Sequence, residues 1–146
     1  MGGLDLYHLL ILRLLINFDI KDKKRLHNLI FLGLTRLKAP TRQEVISFIR
    51  TKSGVRSIYI DEKIKELTNY GLIDEKLNVN DKGREIYYKL ASALKYQPLL
   101  KRCVEITLSK YDDYSKIDEE VKSFLPVRKK MPGEKISIVK IWGYVR

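Results

Sequence analysis

The first segment of the chain is dominated by apolar side chains. Residues 4–18 read LDLYHLLILRLLINF, with polar interruptions only at Asp5, His8, Arg13 and Asn17. This pattern predicts a helix that is apolar on nearly every side. Such a helix either lies at the centre of a hydrophobic core or is shared with a second copy of the chain, and the sequence leaves both open. The apolar run is shorter than the roughly 20 residues that a membrane-spanning helix needs.

A second, amphipathic helix is predicted from Asp22 to the residues before Pro40. Asp22 is a favourable N-cap residue, and apolar side chains recur at helical spacing from Leu26 to Leu37. The residue before a proline avoids the helical region of backbone conformation, so the helix ends ahead of Ala39.

Two further helices are predicted next, separated by a turn. Thr41 and Glu44 have the spacing of a capping box and begin the first of them. Its inward-facing residues are Val45, Phe48 and Ile49. Residues 51–54, TKSG, end that helix. The next one covers residues 58–69 and has apolar residues at positions i, i+4 and i+7, which are Ile60, Ile64 and Leu67.

The chain from residue 70 onward combines short strands with helices. Gly71 supplies the left-handed conformation that ends a helix, and residues 72–79 predict two very short strands. Helices follow over about 81–97, 99–111 and 115–125. The β-branched and aromatic segment Lys135–Arg146 predicts a terminal strand, whose expected hairpin partner is residues 125–130.

The order of these elements over residues 22–96 resembles that of a winged helix-turn-helix domain. Two segments carry the resemblance. Residues 61–73, DEKIKELTNYGLI, are similar to the end of a recognition helix that leads into a wing. Residues 77–84, LNVNDKGR, are similar to the return strand and next helix start of archaeal and bacterial winged-helix regulators. Asn80 stands where that family usually has Thr.

The resemblance implies a mainly α fold with a small β-hairpin wing. It places a winged-helix domain over residues 1–97, with the apolar helix at its start. A C-terminal helical extension over residues 98–146 would end in a β-strand or hairpin. It also implies a small transcriptional regulator that binds duplex DNA, with the second helix of the motif in the major groove and the wing on phosphates. We expect the apolar first helix and the extension to form a homodimer, since symmetric dimers bind paired half-sites.

The charge distribution favours an anionic partner. The chain has 29 Lys and Arg against 18 Asp and Glu, which gives a formal net charge of +11 and a pI near 9.7. Such a charge favours nucleic acid first and a membrane surface second. Residues 21–57 carry +8 and residues 126–146 carry +5. An anionic partner is therefore expected to meet these two segments first.

The candidate DNA-binding residues lie on the predicted helix-turn-helix and wing. Basic side chains there neutralise phosphates, and polar side chains and helix-start amides add hydrogen bonds. The candidates are Arg42, Arg50, Lys52, Arg56, Ser57, Tyr59, Lys65, Asn69, Lys76, Lys82 and Arg84. The outward face of the second helix nevertheless has more acid than base. Asp61 and Glu62 are explained most simply as residues that stabilise the helix N-terminus, and Asp61 also has the spacing of an ion pair with Lys65.

Two alternatives remain beside DNA binding. Residues 25–32, RLHNLIFL, are similar to the opening of phage-associated, antitoxin-like proteins, with further matches at residues 59–73 and 110–113. Asn28 and Asp112 depart from that family's Lys and Gly. This resemblance implies a partner-binding or antitoxin-like role, in which the winged helix is a protein-interaction module. The other alternative is a single-strand or RNA binder that stacks bases on some of the nine tyrosines, although core and dimer contacts explain tyrosines more simply.

The sequence contains no constellation typical of an enzyme or a metal site. His8 and His27 lack metal-ligand spacing, and Cys103 has the position of a buried thiol on an apolar helix face. The carboxylates at residues 112–113 and 118–120 are consecutive and therefore point in different directions, which favours capping or solvated roles. We expect no enzymatic activity, no cofactor and no bound metal.

Two expectations concern the cellular setting. The N-terminus lacks the cationic start of a secretory signal, and the single cysteine excludes an internal disulfide, so we expect a cytoplasmic protein. Two Gln and two Met residues among many charged ones are typical of thermophilic proteins.

Overall fold

The computed structural model describes residues 3–37 and 46–137. Over these ranges the chain is mainly helical, with a small three-stranded antiparallel sheet. The helices are α1 (Leu6–Asn17), α2 (Lys23–Thr35), α3 (Ile58–Asn69), α4 (Asp81–Leu90), α5 (Pro98–Ser109), α6 (Ser115–Ser123) and α7 (Leu125–Arg128), and a 3-10 helix covers Ala91–Leu94. The strands are β1 (Phe48–Thr51), β2 (Gly54–Arg56) and β3 (Lys135–Ile136). None of the helices in these ranges has the length and apolar character needed to cross a membrane.

Helix α1 lies at the centre of the hydrophobic core. Its residues from Tyr7 to Leu12, together with Leu14 and Leu15, are buried. Helices α3, α4 and α5 and the 3-10 helix all contact it. The apolar character of α1 on every side is therefore explained within one chain, and a second copy is not needed to cover it.

Helix α2 begins at the predicted cap, since the Asp22 side chain accepts a hydrogen bond from the backbone of Lys24. It is buried from Leu26 to Thr35, because α5, α6 and β2 all pack against it. Helix α5 approaches closely at Gly33, where an added Cβ would lie 2.6 Å from the Sγ of Cys103. The buried residues of α5 and α6 belong to the same core as those of α1 and α2.

The predicted helix over residues 41–49 is wrong at its C-terminal end, where the structure has strand β1. Strands β1 and β2 form an antiparallel hairpin with Thr51 opposite Gly54, and Gly54 has a φ of +140° that favours glycine. Phe48 is buried against Phe31 of α2, with ring centroids 5.1 Å apart. The first part of the predicted helix, residues 41–45, lies outside the described residues.

The sheet is completed by β3 in the order β2-β1-β3. Ile136 pairs with Phe48 and Lys135 with Ile49, so the partner of the terminal strand is β1. Residues 125–130 were expected to be that partner, and this was wrong: Leu125–Arg128 form α7, with Pro126 in its first turn, where proline is tolerated. The rest of the predicted terminal strand, residues 138–146, lies outside the described residues.

The segment between α3 and α4 is a tight turn rather than two strands. Gly71 ends α3 with a φ of +74°, as predicted. A single antiparallel bridge joins Ile73 and Val79, and Leu77 adopts a φ of +65° with its side chain buried. Asn80 caps α4 by accepting a hydrogen bond from the backbone of Gly83.

Candidate nucleic-acid interface

Pairing of β1 with β3 brings the two most basic segments of the chain together. The backbone N–H of Arg50 donates to Glu134 O, and that of Gly133 donates to Arg50 O, each at 2.8 Å. This register places the β1–β2 turn beside residues 131–133. We call the exposed cations of these segments the basic face. It consists of Lys52, Arg128, Lys129, Lys130 and Lys135.

The basic face has little internal neutralisation. Lys130 Nζ lies 3.9 Å from Glu134 Oε2, which is a weak pair. Within residues 3–37 and 46–137, no carboxylate forms an ion pair with Lys52, Arg128 or Lys129. These side chains remain available to a dissolved or polymeric anion. The sequence carried the signal in its two basic segments, but the pairing that joins them was not predicted.

Arg50 is not part of this surface, although it was a candidate for DNA binding. Its Nη1 donates to Gly54 O at 3.0 Å and also to Thr51 O, and its Nε is buried. The guanidinium therefore stabilises the β1–β2 turn through hydrogen bonds to its backbone carbonyls. Arg42, another candidate, lies outside the described residues.

Arg56 and Ser57 belong to a network that begins α3. Arg56 Nε lies 2.5 Å from Asp61 Oδ2, and His27 Nε2 lies 2.9 Å from Asp61 Oδ1. The Ser57 side chain is buried and caps the helix by accepting from Ile60 N, while Ser57 N–H donates to His27 Nδ1 at 3.0 Å. Ser57 is therefore inaccessible to a phosphate, and Arg56 already has an anionic partner.

The protonation state of His27 follows from these contacts. Because Nδ1 accepts from a backbone N–H, Nε2 carries the proton and donates it to Asp61. Burial lowers the pKa of His27, although the Asp61 carboxylate partly opposes this shift and Arg56 adds to it. The imidazole is thus held neutral as a structural link between α2 and α3.

Tyr59 forms the corresponding link between α3 and α1. Its hydroxyl donates to the Asp5 carboxylate, and Lys63 Nζ lies 3.2 Å from Asp5 Oδ2 and 3.2 Å from Glu66 Oε1. Burial acts to raise the pKa of Asp5, but the hydrogen bond from Tyr59 and the neighbouring cation outweigh it and lower that pKa. Tyr59 is therefore an interhelical contact and not a free DNA-binding side chain.

The remaining candidates are exposed but do not form a basic surface. Lys65 and Asn69 line an open groove of about 610 Å³ that also contains Asp61 and Glu75. Lys82 Nζ donates to Tyr70 O at 3.3 Å. The remaining two, in and after the turn, are Lys76 and Arg84. The outward part of α3 thus has carboxylates close to its cations, as the sequence indicated.

Much of the charge in residues 21–57 is neutralised by the chain itself. Arg25 Nη2 lies 3.1 Å from Asp118 Oδ2 and Arg36 Nη2 lies 2.8 Å from Glu120 Oε2. The carboxylates of α6 therefore pair with the arginines of α2. These pairs leave no local signal in the sequence, because about 90 residues separate the partners.

The histidines and the cysteine have the structural roles that the sequence favoured. His8 is buried, accepts from Asp5 N at 2.8 Å and lies 3.0 Å from Glu66 Oε1. Cys103 is buried, and burial raises the pKa of its thiol. In the described part of the chain, no group of three or more His, Cys, Asp or Glu side chains is placed to hold a metal ion.

Comparison with known proteins found no matching family model, no matching curated protein and no matching solved structure.

Proposed function

We propose that the protein binds duplex DNA through the basic face, as a small DNA-binding regulator. The observation that carries this proposal is the pairing of β1 with β3. That pairing joins cations from two segments about 80 residues apart, and most of them have no ion-pair partner in the described ranges. The pairing makes the two basic segments neighbours on the surface, which a solvated role for one isolated run would not require.

Phosphates are the chemical groups that suit this face. Lysine and arginine side chains that neutralise phosphates release condensed counterions, and this release drives association at low salt. Contacts of this kind position a protein on the duplex but carry no base information. The basic face therefore supports general duplex binding, and any preference for a base sequence must come from another element.

Helix α3 is our candidate for that element. The order of α3, the tight turn and α4 is compatible with the recognition helix, wing and following helix of a winged-helix domain. The hairpin in front of α3 departs from the helix that such a domain has there. Glu62 and Asn69 are exposed on α3, and these residue types pair with cytosine and adenine respectively in the major groove.

The test compares two triple variants that remove equal charge. The first is Lys52→Gln, Arg128→Gln and Lys129→Gln on the basic face. The second is Lys65→Gln, Lys76→Gln and Arg84→Gln around α3 and the turn. All six side chains are exposed, so folding should be preserved and long-range charge effects should be equal. Anisotropy of a labelled random duplex, titrated at several salt concentrations, measures the affinity.

We expect wild-type affinity to fall steeply with the logarithm of salt concentration. The basic-face variant should have a slope shallower by about 3, since each lost phosphate contact removes about 0.9, and the second variant should stay close to wild type. A larger loss in the second variant would contradict the basic face as the source of the phosphate contacts and would assign them to α3 and the turn. If the wild-type protein binds no duplex at low salt, DNA binding is wrong and the alternative, a protein-interaction module, is favoured.

A further inference from the structure

A groove lies between α1, the 3-10 helix and α5, apart from the basic face. It has a volume of about 680 Å³, which is within the range of small-molecule sites. Its apolar floor includes Leu94 and Leu100, which are 3% and 8% exposed. Its rim carries Arg13, Lys95 and Lys101. We infer that this groove binds a small organic anion, with a carboxylate or phosphate group joined to an apolar chain or ring.

The excess of cationic over anionic side chains in the groove favours an anionic ligand. Four cations line it, against the single carboxylate of Glu105. Arg102 Nη1 lies 3.2 Å from Glu105 Oε2, so this pair is neutral together. In the described ranges, Arg13, Lys95 and Lys101 have no carboxylate partner. Three uncompensated cations beside an apolar floor favour a bound anion.

Arg13 is a half-buried cation on the rim of the groove. It projects from α1 and donates through Nη1 to the Tyr87 hydroxyl at 3.1 Å. Its Nε is buried and has no hydrogen-bond partner in the described part of the chain. A guanidinium has five N–H donors, and the only side-chain hydrogen bond of Arg13 in the described ranges is the one from Nη1 to Tyr87. An anionic oxygen in the groove would accept from this side chain.

The N-terminus of α5 adds to the positive electrostatic potential of the groove. Gln97 is the N-cap, and its side chain accepts from Leu99 N at 3.3 Å. The first turn of α5 contains no acidic residue. The positive end of the helix dipole therefore faces the same region as the lysines.

The exposed ring of Tyr96 favours an apolar group in the ligand. Tyr96 is 85% exposed although its ring is large and apolar, and Lys95 Nζ lies 5.4 Å from its ring centroid. An inorganic anion would leave this ring and the half-buried Val104 in contact with water. An alkyl chain or aromatic ring would cover them, and removal of this apolar surface from water would favour binding.

The test uses octanoate as the probe, with 1-octanol, acetate and inorganic phosphate as comparison ligands. Backbone amide shifts of the full chain, isotope-labelled, report both the affinity and the location of binding. We expect octanoate to bind with a Kd of about 1 mM or below, with the largest shifts from residue 94 to residue 104. Octanol, acetate and phosphate should each bind at least about tenfold more weakly.

Two charge reversals locate the site. Lys101→Glu, on the rim of the groove, should weaken octanoate binding about tenfold. Lys122→Glu changes the net charge equally on α6, outside the groove, and should leave the Kd unchanged. Both side chains are exposed, so neither variant should affect folding.

Four results would overturn the inference. Equal affinity for octanol would show that charge is not recognised. Equal affinity for phosphate would show that the apolar floor is not used. Equal effects of the two charge reversals would place the probe elsewhere. Displacement of octanoate by a short duplex would show that the groove is part of a nucleic-acid surface. None of these results depends on whether the basic-face variants lose DNA binding, so the two proposals can fail separately.

Discussion

Asn28 on α2 donates a 2.8 Å hydrogen bond to the carboxylate of Asp118 on α6, 90 residues further along the chain. The same buried amide donates to Ser53 O and accepts from Val55 N. One side chain therefore holds the β1–β2 hairpin and α6 against α2. Since the hairpin carries Lys52, this contact also orients part of the basic face.

Replacement of Asn28 should destabilise the fold strongly. Asn28→Ala leaves buried polar groups on the hairpin and on Asp118 without partners, which should lower the free energy of unfolding by about 3 kcal/mol. Denaturant titration measures this change. Asn17→Ala, at an exposed position at the end of α1, is the control and should change it by less than about 0.5 kcal/mol. Similar losses in the two variants would contradict the anchoring role.

Gly54 should tolerate no side chain. Its φ is +140°, and an added Cβ would lie 2.2 Å from Asn28 Oδ1. Gly133 has a φ of +96° but nothing within 4 Å of the added atom. Gly133→Ala should therefore lose only about 1–2 kcal/mol from backbone strain. Gly54→Ala should lose clearly more, because steric overlap adds to the strain. Equal unfolding free energies for the two variants would show that the Asn28 contact is loose.

The buried His27 should make stability depend on pH near neutrality. Its pKa in the folded state is below the value of 6.5 for an unperturbed histidine, so the unfolded chain takes up the proton first as pH falls. The stabilisation is fully present above pH 6.5 and decreases as pH falls through 6.5 towards the lower, folded-state pKa. The slope contributed by one proton is at most about 1.4 kcal/mol per pH unit.

The variant His27→Gln isolates this effect. It removes the titrating group while keeping a polar side chain near Ser57 and Asp61. Unfolding free energies measured between pH 5 and pH 8 should show a shallower acid loss in the variant than in the wild-type protein. Parallel curves would mean that protonation of His27 is not coupled to unfolding.

The close contact between α2 and α5 should appear as coupling between Gly33 and Cys103. Alanine at position 33 gains about 1 kcal/mol of helix propensity, but its Cβ would lie 2.6 Å from Cys103 Sγ, and overpacking loses about 1–3 kcal/mol. We expect a net loss of about 1 kcal/mol for Gly33→Ala. The double variant Gly33→Ala with Cys103→Ala should lose less unfolding free energy than the sum of the losses of the two single variants. If the two losses simply add, α5 moves away from α2 in the Gly33→Ala variant without a loss of stability.

Cys103 should react with thiol reagents only when the chain opens. The side chain is fully buried and burial raises the pKa of its thiol, so the nucleophilic thiolate is scarce and inaccessible. Labelling in native buffer should be slow, whereas labelling in concentrated urea should be complete at once. Rapid labelling of the native protein would indicate local opening between α2 and α5.

Local sequence signals located the helices well. The N-cap at Asp22, the start of α3 at Ile58 and the end of α3 at Gly71 match the structure. These features depend on backbone conformations and hydrogen bonds within a few residues. The sequence also indicated correctly that α3 has carboxylates on its outward face.

The sequence identified only some of the exposed residues of the candidate DNA-binding site. Arg50, Arg56, Ser57 and Tyr59 were chosen for residue type and position, but each forms hydrogen bonds or an ion pair inside the protein. Residue type alone does not show whether a cationic side chain faces solvent or forms hydrogen bonds inside the protein. That distinction depends on which neighbours the fold brings within hydrogen-bond distance.

The sequence by itself thus determined most helix positions and ends and the overall excess of positive charge, because these depend on local interactions and composition. Only the tertiary structure decided that Phe48–Thr51 form a strand, that its partner is Lys135–Ile136, and that Arg25 and Arg36 pair with α6. A strand needs a partner for its backbone hydrogen bonds, and here one partner lies more than 80 residues away. The same long-range pairing assembles the basic face.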